Sequence, residues 1–415
     1  SPQTISLEQL QNTLTPNNII LEYFVGKEKS FLWLVTTSKL YTFQLENKES
    51  LTAAINRFSL AVSTQPASSS LNELYKLNEP AGQLSQKLLG NQAVSLDDKS
   101  IIPFSLLRSK KQIIVIGDDL LHTVAWPALT APTAANTRQS RYVPLVAQYE
   151  FISLPSASLL PILNNTIDFT KTMPNALILA DPVFSVLDER YQNSAKVHNN
   201  DKSLISFSDE RELASAKPLP RLKNTILEAN EIKTLLGKQG KIISSFEANL
   251  EMLLQQNLSQ YNIIHLATHS YVDLRSPEYC GVVLSLINEQ GQETERAVLG
   301  LEQIQLLPLQ PGSLVVLSSC DTNSGKLIAG EGLVGLSQAF FSAGANQVIS
   351  SLWKVADKST ARLMATIYRN IIRQKVSPST ALHTAQVSFW RQKIHPYFWA
   401  SFTFQGNWKP QTVSK

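Results

Sequence analysis

The chain has 415 residues, 43% of them hydrophobic and 17% charged, a balance found in globular proteins rather than in disordered or coiled-coil ones. Its 37 basic and 33 acidic residues leave a formal net charge of +4, too mild to argue for nucleic acid or a membrane surface as partner. No apolar stretch approaches the roughly 20 residues that span a bilayer.

The length exceeds one small core and suits two domains, or one large α/β unit with an extension. The chain opens Ser-Pro-Gln, with no initiator Met and no secretory signal, which suggests a fragment or a processed product. Three short apolar runs, 19–25, 31–36 and 40–45, predict a β-meander. Helical patterns follow over 50–63 and 71–89. The run 112–117 predicts a buried strand leading toward Trp126, and 149–154 predicts another. This first part, 1–165, holds no reactive cluster.

From about Asn175 strands and helices alternate. Strands are expected at 176–181, 241–245, 261–269, 281–286, 313–320 and 347–353, with 402–405 able to close the sheet. Helices are expected at 222–236, 249–259, 332–343, 358–373 and 377–392. The polar stretch 188–220 predicts a loop. Such alternation implies an α/β fold with a mostly parallel sheet flanked by helices.

Two cysteines, Cys280 and Cys320, make no disulfide framework. They fit a reducing compartment, so a cytoplasmic location is expected. No C-x-x-C or H-E-x-x-H pattern occurs, and no metal or other cofactor is expected. Gly325, Gly330, Gly332, Gly335 and Gly344 cluster just after Cys320.

His269 follows one buried strand and Cys320 another, 51 residues on. In open α/β sheets reactive groups gather beyond the carboxyl ends of the strands. If the two strands are neighbours, the side chains emerge at one edge. An imidazole beside a thiol can take its proton and leave a nucleophilic thiolate. Backbone N–H groups at Ser270 and Cys320 could hold the resulting oxyanion. The spacing agrees with the caspase pattern, although the caspase tetrapeptide is replaced by Ser318-Ser-Cys-Asp-Thr322.

Ordered motifs now give a family resemblance. His265-Leu-Ala-Thr-His269, Leu314-Val-Val-Leu-Ser-Ser-Cys-Asp-Thr322, Gly330-Glu-Gly-Leu333, Ala343-Gly-Ala345, Ser351-Leu-Trp353 and His395-Pro-Tyr-Phe-Trp-Ala400 resemble CHAT domains, caspase-like cysteine peptidases of clan CD related to separase. The resemblance is dense over 175–407 and weaker before it. It implies a caspase-like catalytic domain over 166–415, preceded by an α/β region over 1–165 that can be read as a degenerate, pseudo-peptidase relative. It implies His269 as base, Cys320 as nucleophile and Asp357 as the acidic wall of an S1 pocket favouring a basic residue. It also implies a protein substrate and control by a sensor region or partner protein. The family usually has Gly where Ser270 stands, and often Glu where Asp321 stands. A residue forced to positive φ there would strain Ser270.

Plainer readings stand beside these. Cys280 reads as a core residue, and His265 as packed or hydrogen-bonded beneath the site rather than metal-binding. Asp357 could equally cap the helix it precedes. Trp353 and Trp399 read as core aromatics, with pocket walls as the alternative. The aromatic run 397–399 could also be a docking patch. The glycines at 325–332 miss the phosphate-binding order, and Gly335-Leu-Ser337 lies in a helical pattern that argues against a serine-esterase elbow. The function expected is a cysteine endopeptidase with a Cys-His dyad. The alternative is a catalytically silent CHAT-like scaffold acting as an interaction module.

Overall fold

Apolar runs and turn residues become fifteen strands in the computed structural model, which describes residues 5–132, 141–161, 163, 167–194, 219–271, 280–294, 297–318, 330–355 and 357–408. They are β1 Asn18–Phe24, β2 Ser30–Val35, β3 Leu40–Leu45, β4 Val94–Ser95, β5 Gln112–Ile116, β6 Glu150–Leu154, β7 Ala176–Pro182, β8 Gly240–Ser245, β9 Ile263–Ala267, β10 Ser270–Tyr271, β11 Gly281–Val283, β12 Val298–Gly300, β13 Leu314–Leu317, β14 Gln347–Ser351 and β15 Phe402–Gly406. The α-helices are α1 Leu7–Asn12, α2 Lys48–Ser63, α3 Leu71–Tyr75, α4 Asn78–Leu88, α5 Glu189–Ser194, α6 Thr225–Leu236, α7 Leu250–Leu254, α8 Leu301–Gln305, α9 Gly330–Ser342, α10 Asp357–Arg373 and α11 Pro378–Arg391.

Twelve strands form one sheet, in the order β4-β3-β2-β1-β5-β6-β15-β14-β13-β9-β7-β8. Strands β1, β5, β6 and β15 run parallel to one another. Strand β14 is antiparallel to β15, and from there β14, β13, β9, β7 and β8 run parallel. The fold is therefore the mostly parallel α/β sheet that the alternating pattern predicts. Strands β7, β9 and β13 are buried along their whole length, which is why each reads as a largely apolar run, interrupted in β9 by His265 and ended in β7 by Asp181. Helix α10 packs against both α6 and α11 on one face.

The reversal between β15 and β14 has a geometric result. The carboxyl ends of β5 and β6 lie at the opposite edge of the sheet from those of β9 and β13. Strands from before and after 165/166 share this sheet, because β6 pairs with β15. Gly406 allows β15 to lie against β14: it takes φ +115°, and a Cβ there would sit 2.1 Å from the Asn346 carbonyl oxygen.

Several elements differ from expectation. The helix expected over 71–89 is two helices, because Pro80 belongs in the first turn of a new one. The helix expected over 249–259 ends at Leu254, where Asn257 and Ser259 favour turn geometry. The strand expected over 281–286 is only β11, and it belongs to a separate three-stranded sheet, β10-β11-β12. The stretch 188–220 begins with α5 rather than loop, and 195–218 lies outside the described residues. Strand β15 does not close the sheet at an edge. It joins the two halves in the middle.

The aromatic motifs are structural. Trp353 and Trp399 are buried. The Trp353 indole N–H donates to the Tyr397 carbonyl at 3.1 Å, and the Tyr397 hydroxyl donates to the Lys354 carbonyl at 3.1 Å. The run 397–399 is thus core rather than a docking patch. Ser337 is buried inside α9, and Cys280 is buried at the start of β11.

His395 opens the last of these motifs, and its Nδ1 accepts the Tyr397 N–H at 3.2 Å. Burial pushes its pKa down from 6.5 to about 4, against the opposing charge and backbone hydrogen bond at Glu73. The unfolded chain therefore takes up this proton first as pH falls. The contribution is full above the unfolded value of 6.5 and is lost as pH drops to about 4. At about 1.4 kcal/mol per pK unit, the loss is on the order of 3 kcal/mol. Urea midpoints measured across that window should fall more steeply for the native chain than for His395→Asn.

Candidate functional site

The site is built at the carboxyl ends of β7, β9 and β13. Strand β9 delivers Thr268 and His269, and the small sheet braces them. The Thr268 hydroxyl donates to the Val283 carbonyl at 2.6 Å, and the Val283 N–H donates to the His269 carbonyl at 2.8 Å. Ser270 then pairs with Val282 across β10 and β11. Given the Val283 bond, this is the pair that exchanges no hydrogen bonds, so the Ser270 N–H points away from β11. Ser270 is extended here, so a side chain in place of Gly brings no backbone strain.

His269 is 1% exposed. Its Nε2 lies 2.8 Å from the Pro220 carbonyl oxygen, and its ring packs on Phe184 with centroids 5.0 Å apart. A carbonyl only accepts, so Nε2 carries the hydrogen, and in the neutral ring Nδ1 holds the basic lone pair. The carbonyl therefore fixes both the tautomer and the ring plane, the part played by the third group in nucleophile–base systems.

Pro220 is held by its neighbour. Asp181 lies at an irregularity in β7, takes φ +50° and is buried. This local kink aims its carboxylate back at Arg221. Arg221 binds it in a fork, Nε to Oδ1 at 2.9 Å and Nη2 to Oδ2 at 2.6 Å. Arg190 adds a contact to Asp181 Oδ2 at 3.0 Å and donates to the Asp181 carbonyl at 2.7 Å. The hydrogen bond to Asp181 raises the Arg221 pKa further. Burial pushes Asp188 up, but the hydrogen bonds and charge of Arg190 outweigh it and leave Asp188 below the usual range.

Beneath His269, in the same strand, His265 is fully buried. Its Nε2 lies 2.7 Å from Glu228 Oε1, and its Nδ1 lies 2.9 Å from the Tyr368 hydroxyl. The chain of bonds ties β9 to α6 and α10, and His265 is thus hydrogen-bonded beneath the site. Among the described residues no group of three His, Cys, Asp or Glu gathers as metal ligands would, and no helix is long and apolar enough to cross a membrane.

Strands β9 and β13 are neighbours, each residue of β13 opposite the β9 residue 51 positions earlier. The Ser318 N–H continues the ladder, donating to the Leu266 carbonyl at 3.2 Å. Cys320, Asp321 and Gly325 lie outside the described residues, and so does the Asp357 side chain. Asp357 itself is the first residue of α10, just past β14 on the other side of β13. Pro220, Phe184, Asp181 and Arg221 are site residues that sequence reasoning missed. Asp181 and Pro220 stood in view only as the ends of a strand and of a loop, and nothing in a residue type announces a working carbonyl.

A family-wide sequence pattern described as CHAT domain matches residues 78–407. The chain belongs to the CHAT domain family. It is also similar to Tetratricopeptide repeat protein 28 of Mus musculus, 35% identical over 97 residues, which are 23% of this chain and 4% of that protein. The chain thus spans a small fraction of that relative's length. Among solved structures it is similar to the separase–securin complex of Saccharomyces cerevisiae, with 12% identity, TM-score 0.48, and coverage of 96% of this chain and 30% of that one. It is similar too to the Arg-specific cysteine proteinase gingipain R, with 8% identity, TM-score 0.39, and coverage of 87% of this chain and 76% of that one.

Proposed function

We propose that this CHAT domain is a cysteine endopeptidase in which His269 serves Cys320, with a protein as substrate. One observation supports it above the rest: His269 is oriented by the Pro220 carbonyl with Nδ1 as its basic atom, in a strand whose 51-residue register offset to β13 equals the separation of His269 from Cys320. In this reading Nδ1 takes the thiol proton and the sulfur electron pair attacks the substrate carbonyl carbon. A C–S bond forms as the carbonyl pair moves onto oxygen, where the Ser270 and Cys320 N–H groups hold it. Collapse breaks the C–N bond, and the amine leaves with the proton from His269. Water then attacks the thioester, passes its proton through His269 to sulfur, and frees the acid. No cofactor enters.

Asp357 is the wall of the S1 pocket in this proposal, so cleavage follows Arg or Lys. A sensor region or partner protein governs access, in a reducing cytoplasmic setting, with no nucleic acid or membrane involved. Six strands from 1–165 and six from the remainder build the large sheet, which supports reading 1–165 as a degenerate counterpart of the catalytic half. The second reading, a silent CHAT scaffold, draws on the near-complete burial of His269.

Covalent labelling separates the two. The chain is incubated with irreversible peptidyl electrophiles bearing Arg, Lys, Leu or Asp at P1, and intact mass is read beside Cys320→Ala and Asp357→Ala. Labelling by the Arg or Lys probe, lost in Cys320→Ala and weakened in Asp357→Ala, is the expected result. Labelling led by Leu or Asp would keep the peptidase and remove Asp357 from S1. No labelling by any probe would favour the scaffold.

A further inference from the structure

A cavity of about 340 Å³ opens where α3, the residues 141–142 and the end of α11 meet. Its volume reaches the lower end of the roughly 300–1,000 Å³ typical of ligand pockets. Leu74 and Tyr142 are its buried floor. The Tyr142 hydroxyl is already engaged, donating to the Ala128 carbonyl at 2.5 Å, so the floor offers an occupant apolar surface. Tyr75 and Trp390 are half-buried aromatic walls. Arg141, Arg391 and Lys393 line the same cavity and are exposed.

No acidic residue lines the cavity, and none of these three cations forms an ion pair among the described residues. Glu73, beside Leu74 in α3, is held by Lys76 at 2.7 Å. Arg391 and Lys393 have a plain reading on their own, because positive charge suits the carboxyl end of a helix such as α11. That reading leaves out Arg141, which reaches the cavity from a distant part of the chain. Lys393 takes φ +61°, and its N–H donates to the Trp390 carbonyl at 2.8 Å. This left-handed turn brings Lys393 back beside Trp390. Charges of one sign around an apolar concavity focus a positive potential into it.

The arrangement of these groups says what kind of occupant fits. In a small-molecule site the polar groups that fix the ligand converge inside the pocket. Here the interior is apolar and aromatic and the charges stand outside, the anatomy of a protein–protein contact with an aromatic anchor and a charged rim. We infer that this cavity docks an acidic segment of a partner protein. One aromatic side chain of that segment enters between Tyr75 and Trp390, and flanking carboxylates meet Arg141, Arg391 and Lys393. The neighbouring residues 133–140 contain no acidic and no aromatic side chain, so they do not supply this chemistry from within the chain. The surface stands whether or not His269 and Cys320 form a dyad.

The test is direct binding, read by fluorescence anisotropy with a labelled peptide Gly-Asp-Glu-Phe-Asp-Glu-Gly. The full chain carries Cys320→Ala, so that the probe is not cut. Binding is expected to weaken with salt and to fall about tenfold or more when Ala replaces Phe in the probe. Arg391→Glu with Lys393→Asn is expected to weaken it at least tenfold, and Arg141→Gln several-fold. All three positions are exposed, and Asn tolerates the positive φ of Lys393, so these variants keep the fold, which thermal midpoints check. Trp390→Ala is expected to cost about thirtyfold. Equal binding of the Ala probe would mean surface charge alone and would overturn the cavity. So would a folded chain that binds no probe, or charge variants that bind as the parent does. Adenosine monophosphate binding more tightly than the peptide and displacing it would overturn the partner assignment in favour of a small anionic ligand.

Discussion

Replacing Cys320 with Ala is expected to lower peptide hydrolysis by on the order of 10⁴-fold or more, and His269→Ala by about 10²–10⁴-fold. The diagnostic result is the double variant. Residues that act as one unit are strongly non-additive, so Cys320→Ala/His269→Ala should be little worse than Cys320→Ala alone. Single-turnover rates on one Arg-containing peptide give the comparison. Thermal midpoints are read alongside, because the His269 ring also packs on Phe184 and its removal costs some packing. Multiplicative losses in the double variant, or an unchanged rate in Cys320→Ala, would sink the dyad.

The largest effect on stability is expected one turn of the strand pleat below. Glu228, His265 and Tyr368 form a hydrogen-bonded chain in the dry core, with Glu228 and His265 both inaccessible to solvent. Glu228→Leu strands the His265 N–H without an acceptor. Breaking one side of such a buried pair costs about 3–5 kcal/mol, a large share of the roughly 5–15 kcal/mol that holds a domain together. Glu228 Oε2 already has no hydrogen-bond partner among the described residues, so the pair is costly to keep. Replacing Glu228 and His265 together by apolar residues should recover much of the loss. Urea midpoints of the two single variants and the double variant decide the matter. A Glu228→Leu chain as stable as the parent would mean that the network carries no weight.

The sequence made the strands of the second half readable because β7, β9 and β13 are buried on both faces and show as largely apolar runs. It made His269 conspicuous for a related reason: a titratable side chain directly after such a run has nowhere to go but the sheet edge. The neighbour relation of β9 and β13 was open, since pairing is a tertiary property. Partners of His265 were equally hidden, lying 37 and 103 residues away. Pro220 was the least legible of all. It acts through a backbone carbonyl, which every residue has, and its placement depends on a kinked Asp181 some 40 residues earlier. Strand β15 read as a generic final strand, and its central berth followed only from its two neighbours in space.

That central berth governs the order in which the molecule can be completed. A ribosome makes the chain from its amino terminus, and β15 is the last of the described strands to emerge. Until then β6 and β14 are inner edges without a mate, although each will finish in the interior of a twelve-stranded sheet. Unpaired strand edges of this kind recruit other chains. The β6 margin therefore waits while β7 to β14 are made, the β14 margin only until β15 follows it, and that one short strand sews both shut at once.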